Sequence, residues 1–309
     1  MILDFRFIAA SVMLVICLTG LVMNILVILR MRREKESFHK ICVTKAIANI
    51  MILVAYIFWA VPCTYLNSYW LPSYFNVFFG QVIGWGPYLM SGPFTQICLA
   101  LNRAIAISYP HWFDGNHRIP YTKVMIYGLW LLAFLISLPA SIDGCSYLFY
   151  PDSISWGTMD TPCSTRLTAI FLVSVITMSI FSFTINIINI LKLLKMSMSM
   201  GNAISEDAFS ARKKRRRAMF IQCIIQDCTH SMDCFVNNYL YTFYDAQWFQ
   251  FLCGAVSGLF IILIDGFLMT VLHQKPKKSN GRVASRVSTV PLNNNNNSIN
   301  RKTSGIVME

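Results

Sequence analysis

Seven apolar runs, separated by short polar stretches, constrain this chain more than any other feature of its sequence. They cover approximately Ile8–Leu29, Ile41–Val61, Val77–Ala104, Tyr121–Pro139, Leu167–Leu194, Ala218–Tyr241 and Trp248–Leu272. Each is close to the ~20 residues that a helix needs to cross a ~30 Å hydrocarbon layer. Within such a layer the backbone must satisfy its own hydrogen bonds, so runs of this kind become helices. The sixth run is the least apolar, because polar side chains interrupt it. With 55% hydrophobic and 13% charged residues, the chain is too apolar to hide these runs in one water-soluble core. Its mean hydropathy of +0.52 agrees. The expected fold class is all-α: an integral membrane seven-helix bundle over residues 1–272, followed by a disordered tail over residues 273–309. That tail carries "NNNNN" and scattered Ser and Thr without apolar periodicity. The first run is too long for the core of a cleavable leader and is read as a true span.

Charge sets the expected orientation. Of the 26 Lys and Arg, only Arg6 and Arg166 fall on one side of the expected bilayer. The other 24 fall on the opposite side. They include Lys45, just inside the second run, and the six consecutive basic residues Arg212–Arg217. Basic residues concentrate on the cytosolic side, so the N-terminus is expected outside and the C-terminus in the cytosol. The formal net charge of +12 is then explained by anionic membrane lipids, and nucleic acid is not an expected partner. Asn296 begins an N-x-S sequon, which this topology places in the cytosol, where it stays bare.

The same topology sorts the ten cysteines. Cys63, Cys145 and Cys163 fall at or beyond the outer face, where disulfides form. Cys145–Cys163, within the second outer loop, is the favoured pair. Cys63–Cys145 and Cys63–Cys163 are its rivals, and all three being free is the remaining alternative. No CxxC pair or Cys/His ligand cluster occurs, so no metal and no cofactor are expected. There is no nucleophile–base pair, Gly-rich phosphate loop or metalloprotease signature, and the enzyme class is set aside.

Polar residues inside the spans are the candidates for function, since an ionisable group at membrane depth is costly. Gln222, Gln226 and His230 recur at steps of four on the sixth run, and Asp227, His230 and Asp233 at steps of three. His230, Asp233 and Asn237, in the middle and outer half, are pocket candidates, whereas Gln222 and Gln226 suit interior hydrogen bonding. In "GWGPYLMSGP" of the third run, Pro87 and Pro93 should kink the helix, beside Gln81, Trp85 and Tyr88, which serve either simple helix packing or a ligand pocket. The third run has no acidic residue, and the seventh has no lysine.

Several stretches resemble landmarks of rhodopsin-like G-protein-coupled receptors. "GLVMNILVIL" places Asn24 and Val27 where that superfamily has an Asn and a Val. "NRAIAISYP" resembles its Asp/Glu-Arg-Tyr motif, with Asn102, Arg103 and Pro110. Trp130 and Pro139 fit its fourth helix, and "LIDGFLMTVL" resembles its Asn/Asp-Pro-x-x-Tyr motif, with Asp265 first. There are departures: Asn102 replaces the acid, Ala104 the aromatic, Gly266 the proline and Met269 the tyrosine, and the cysteine at the outer end of the third helix is missing. The stretches "SFHKICVTKAIANIMILVAYIFWAVP", "GCSYLFYPDSISWGTMDTPC" and "FIQCIIQD" are similar to the nematode chemoreceptors called serpentine receptors, of class x. This resemblance covers Phe38 to Leu272. It implies a plasma-membrane receptor on sensory cells for a small environmental or pheromone-like molecule, coupled to a heterotrimeric G protein. It also implies that Arg103 contacts the G protein. Asn24, Asn49 and Asp265 then form a switch in which one carboxylate, Asp265, faces one amide, Asn49. A plain cytosolic anchor is the blander role for Arg103, and interhelical hydrogen bonding the blander role for the cluster. Within such a superfamily, the lack of an acid on the third run argues against an amine ligand, and the lack of a lysine on the seventh excludes a retinal Schiff base of the usual opsin kind. The competing functions are a ligand-gated channel or transporter, and a peptide receptor of the same fold.

Overall fold

A computed structural model describes residues 4–34, 36–108, 121–199 and 206–272. Pro110, Asn296 and the tail over 273–309 lie outside the described residues, as do the side chains of 196–219.

Seven helical passes account for most of the chain. They are α1 (Phe5–Met31), α2 (Ser37–Leu66), α3 (residues 74–108), α4 (Tyr121–Ser141), α5 (Pro162–Ser199), α6 (Glu206–Asn238) and α7 (residues 247–272). Among the described residues, five of these are long and apolar enough to span a bilayer. The other two fall short for visible reasons: α3 is broken into three pieces, and α6 carries polar residues along its length. α5 exposes Ile170, Val173, Ile180 and Leu191 in the way of a helix facing lipid. α6 begins at Glu206, before the expected Ala218, so the basic run Arg212–Arg217 is helical and continuous with the span.

The breaks in α3 follow from its Gly-Pro pairs. The first piece, Tyr74–Gly84, ends where Trp85 leaves helical geometry at φ −126°, ψ −93°, two residues before Pro87. The second, Gly86–Ser91, ends at Gly92 with φ −115°, ψ −102°, immediately before Pro93. Proline cannot donate to the preceding turn and disfavours helix at the residue before it. α2 and α7 each contain one π turn, Tyr56–Ala60 and Leu252–Val256.

Between α4 and α5 the chain adds an element outside the all-helical expectation. β1 (Tyr147–Tyr150) and β2 (Ser155–Thr158) pair antiparallel, with Phe149 opposite Trp156. This hairpin does not ride on the surface. Phe149, Ile154 and Trp156 are buried in one cluster with Trp59, Ala60 and Phe251 of α2 and α7. The Asn76 amide of α3 serves as its pairing partner. Its Nδ2 donates to the Phe149 carbonyl at 3.0 Å, while its Oδ1 accepts from Phe149 N at 2.9 Å and from Trp59 Nε1 at 2.8 Å. Gly80 makes the close approach possible, because a Cβ there would lie 1.6 Å from the Tyr147 carbonyl oxygen. A disulfide joins Cys145, before β1, to Cys163 at the start of α5, with Cα atoms 5.2 Å apart. Cys63 is a free, buried cysteine of α2. Arg6 at the start of α1 lies 3.8 Å from Asp152 in the hairpin turn. At the other end of the bundle, Arg30 donates to the Thr270 carbonyl at 3.2 Å. The bundle therefore has a hairpin end and an opposite end.

Gly80→Ala should displace the hairpin, since backbone rather than a flexible side chain blocks the new methyl. The expected cost is about 1–3 kcal/mol, read as a lower thermal midpoint of the purified protein. An unchanged midpoint would mean that the hairpin does not dock on α3 as described.

Candidate functional site

Beneath the hairpin lies a cavity of about 460 Å³, enclosed by α2, α3, α5, α6 and α7. That is within the usual size range of small-molecule sites. Trp85, Tyr88, His230, Asp233 and Asn237 all line it. Gln81 does not: its side chain donates to Ser141 on α4, the helix-packing alternative for this residue. The roof comes from Tyr147, Tyr150 and Trp156 of the hairpin, none of which the sequence singled out. Burial pushes the Tyr150 hydroxyl above its ordinary pKa. Burial first, and then the nearby Asp233 carboxylate, does the same for Tyr147, so both remain protonated donors.

His230 forms part of the floor, and the α3 break gives it room. A Cβ on Gly92 would lie 3.0 Å from its Nδ1. On its other side, Nε2 stands 3.3 Å from Asp265 Oδ2. The same carboxylate oxygen is 2.9 Å from Lys45 Nζ, and both of these side chains are 0% exposed. The expected pairing of Asp265 with Asn49 is therefore corrected. Asn49 donates to Asn24 Oδ1 at 3.0 Å and accepts from Ser91 Oγ at 2.5 Å. Asn24 in turn donates to the carbonyls of Gly20 at 2.8 Å and Ile262 at 3.5 Å. Two networks thus run side by side, one of amides joining α1, α2, α3 and α7, and one of charges joining α2, α6 and α7. They meet at Gly266, where a Cβ would fall 2.9 Å from Asn24 Nδ2. Lys45 precedes Asn49 by four residues and shares its inward face. The sequence counted it with the basic residues of the cytosolic side, just inside the second run, whereas its charge is buried against Asp265.

Further along α6 toward the opposite end, polar contacts tie the helices together. Asp227 accepts from Asn186 of α5 at 2.7 Å, so it faces α5 and not the cavity. Gln96 of α3 donates to the Gln226 carbonyl at 3.2 Å, and Gln222 donates to Gln226 Oε1 at 3.3 Å. Asn189 donates to the Ala100 carbonyl at 3.1 Å. Asn186 and Asn189 were legible as polar residues inside an apolar run, at a three-residue step.

Arg103 is not the water-reaching anchor that the sequence allows. It is 5% exposed, its Nε donates to the Leu99 carbonyl at 3.0 Å, and its guanidinium lies 5.2 Å from the centre of the Phe220 ring on α6. Asn102 beside it is half-buried. The arginine closes α3 onto α6 at the end opposite the cavity, through a cation–π contact.

Residues 14–273 match the family described as serpentine type 7TM GPCR chemoreceptor Srx. The fold is similar to that of squid rhodopsin, with a TM-score of 0.69 at 12% identity over 87% of this chain and 82% of that one. A stretch of 72 residues is 31% identical to the human probable G-protein coupled receptor 152. It amounts to 23% of this chain and 14% of that protein. The chain belongs to the serpentine 7TM chemoreceptor family, of the Srx type, and is a multi-pass membrane protein with the seven-helix fold of G-protein-coupled receptors.

Removing one member of a buried ion pair strands the other, at about 3–5 kcal/mol. Lys45→Met and Asp265→Asn should each lower the thermal midpoint of the purified receptor strongly. The double variant should lie well above the sum of the two losses, because no charge is then stranded. Additive losses would mean that the two charges do not pair.

Proposed function

We propose that this protein is a plasma-membrane chemosensory receptor of sensory cells that binds a small environmental or pheromone-like molecule and activates a heterotrimeric G protein. The observation that carries this reading is the double placement of His230. One ring nitrogen lies against the break in α3 at the cavity floor, and the other lies on the Asp265 carboxylate that holds Lys45. A ligand seated in the cavity presses on His230. Any shift of the imidazole changes the company of a buried carboxylate, and so the fit of α7 against α2. Because α3 has two discontinuities, its cavity half moves without dragging the segment that carries Arg103. Arg103 and the basic start of α6 are the groups at the G-protein end. In this reading the hairpin end faces outward and the tail lies in the cytosol, which agrees with the distribution of Lys and Arg.

The size of the site favours a small molecule over a peptide. The hairpin roofs a cavity of about 460 Å³, too little for an extended chain with its side chains. Channel function would need a polar path through the bundle, and below the cavity that route is filled by the Asp265 cluster.

Epitope tags at residues 1 and 309 test the topology, and labelling of intact cells is expected at residue 1 only. A G-protein activation reporter challenged with volatile and pheromone-like compounds tests the activity. A response is expected from the native receptor and is expected to vanish in Arg103→Ala at equal surface expression. Labelling of residue 309 without permeabilisation, or a ligand-evoked current that survives loss of G proteins, would overturn the reading.

A further inference from the structure

Three buried carboxylates on α6 and α7 differ in their company. Asp265 has Lys45 and His230. Asp227 takes the Asn186 amide and faces α5. Asp233 is the carboxylate that lines the cavity. It is 3% exposed, and no Lys or Arg is among the described residues that line the cavity with it. Its close hydrogen bonds both fall on Oδ1, from Asn237 Nδ2 at 2.7 Å and Ser257 Oγ at 2.9 Å. The Tyr88 hydroxyl faces it from α3. His230, one turn earlier on α6, has its Nε2 on Asp265. Neutral donors orient this carboxylate, and the basic side chain nearby among the described lining residues is His230, which is engaged with Asp265.

The walls around it are aromatic. Tyr147 stacks on Trp156 with ring centres 6.2 Å apart, and Tyr56 meets Trp156 at 6.0 Å. Trp85 meets Phe171 at 4.6 Å across the cavity wall. An aromatic face attracts a cation, and most strongly where water is excluded. A buried charge without a partner is unfavourable until a counter-charge arrives.

We propose that this cavity selects molecules carrying a positive charge, either a protonated amine or a quaternary ammonium on a small apolar body, with Asp233 as the counter-ion and the Tyr and Trp faces around it. This rests on the receptor reading above and narrows it. The expectation against amines came from the lack of an acid on the third span. The structure supplies the acid from α6 instead. A carboxylate-bearing molecule meets no Lys or Arg among the described lining residues and is rejected by Asp233.

The test uses the full-length receptor in nanodiscs, so that binding is read without any G protein. Three probes share one ring: tyramine, 4-hydroxyphenethyl alcohol and 4-hydroxyphenylacetate, which are cation, neutral and anion. Tetraethylammonium is a cation without the ring. At millimolar concentration the two cations should raise the thermal midpoint and alter the fluorescence of Trp85 and Trp156, and the other two should not. Asp233→Asn should weaken tyramine binding about 10- to 100-fold, the span of one charge-assisted hydrogen bond. Without ligand, the same variant should be as stable as the native receptor or more so, since it removes a buried charge that has no Lys or Arg partner among the described lining residues. Equal shifts from all three ring probes, preference for the anion, or no shift with either cation would overturn the proposal. So would a ligand-free Asp233→Asn protein as destabilised as Asp265→Asn, which would make the carboxylate a structural partner. Cation binding without any G-protein activation would instead count against the receptor reading and leave this one standing.

Discussion

A carboxylate cut off from water at membrane depth needs a counter-charge within a few ångströms, and in this bundle Asp265 finds it in Lys45, 2.9 Å away. Much else is arranged around that contact. Desolvating two charges costs several kcal/mol per ion before their attraction returns anything, so the pair persists only where helix packing keeps it closed. It is also under-satisfied. Asp265 Oδ1 has no hydrogen-bond partner among the described residues, and Lys45 Nζ finds no further acceptor there. A buried polar site of this kind is not neutral filling. In the proposed mechanism, a small motion of α6 or α7 redistributes its contacts.

In the proposed mechanism, His230 makes such a motion answerable to a ligand. The α3 break at Gly92 admits the imidazole between the cavity and Asp265, and the break itself comes from Pro93. The hairpin encloses the cavity from the other side, held by the Asn76 amide and by the bare Cα of Gly80. The amide network of Asn24, Asn49 and Ser91 binds α1, α2 and α3 next to the ion pair. At the far end, Arg103 lies over Phe220 on α6, so the helix that carries His230 also carries the ring that Arg103 rests on.

The sequence disclosed the bundle because hydrocarbon leaves so few choices: seven runs of spanning length become seven helices. It disclosed the cavity-facing residues of α6 for a similar reason, since Asp233 and His230 had nowhere but the interior to go. Lys45 was hidden by the rule that assigned orientation. A lysine eight residues into a span counts as part of the basic collar unless the carboxylate opposite is considered at the same time. The sequence put Arg103 within reach of water or of the ends of neighbouring helices but could not choose between them, because its packing against Phe220 depends on a distant helix. The hairpin was hidden differently. "YLFY" and "SWGT" are too short to register beside runs of twenty residues, and their burial depends on Asn76 and Gly80, some seventy residues earlier.

Isotope-edited infrared spectroscopy of the resting receptor tests the ion pair most directly, because a protonated carboxyl in an apolar site has its own C=O stretch. If Lys45 holds Asp265 ionised, Asp265→Asn removes no band from the protonated-carboxyl region of the native spectrum. Lys45→Met should then add a band there, which the further change Asp265→Asn abolishes. A protonated-carboxyl band present in the native receptor and lost in Asp265→Asn would contradict the pairing, and with it the route from His230 to α7.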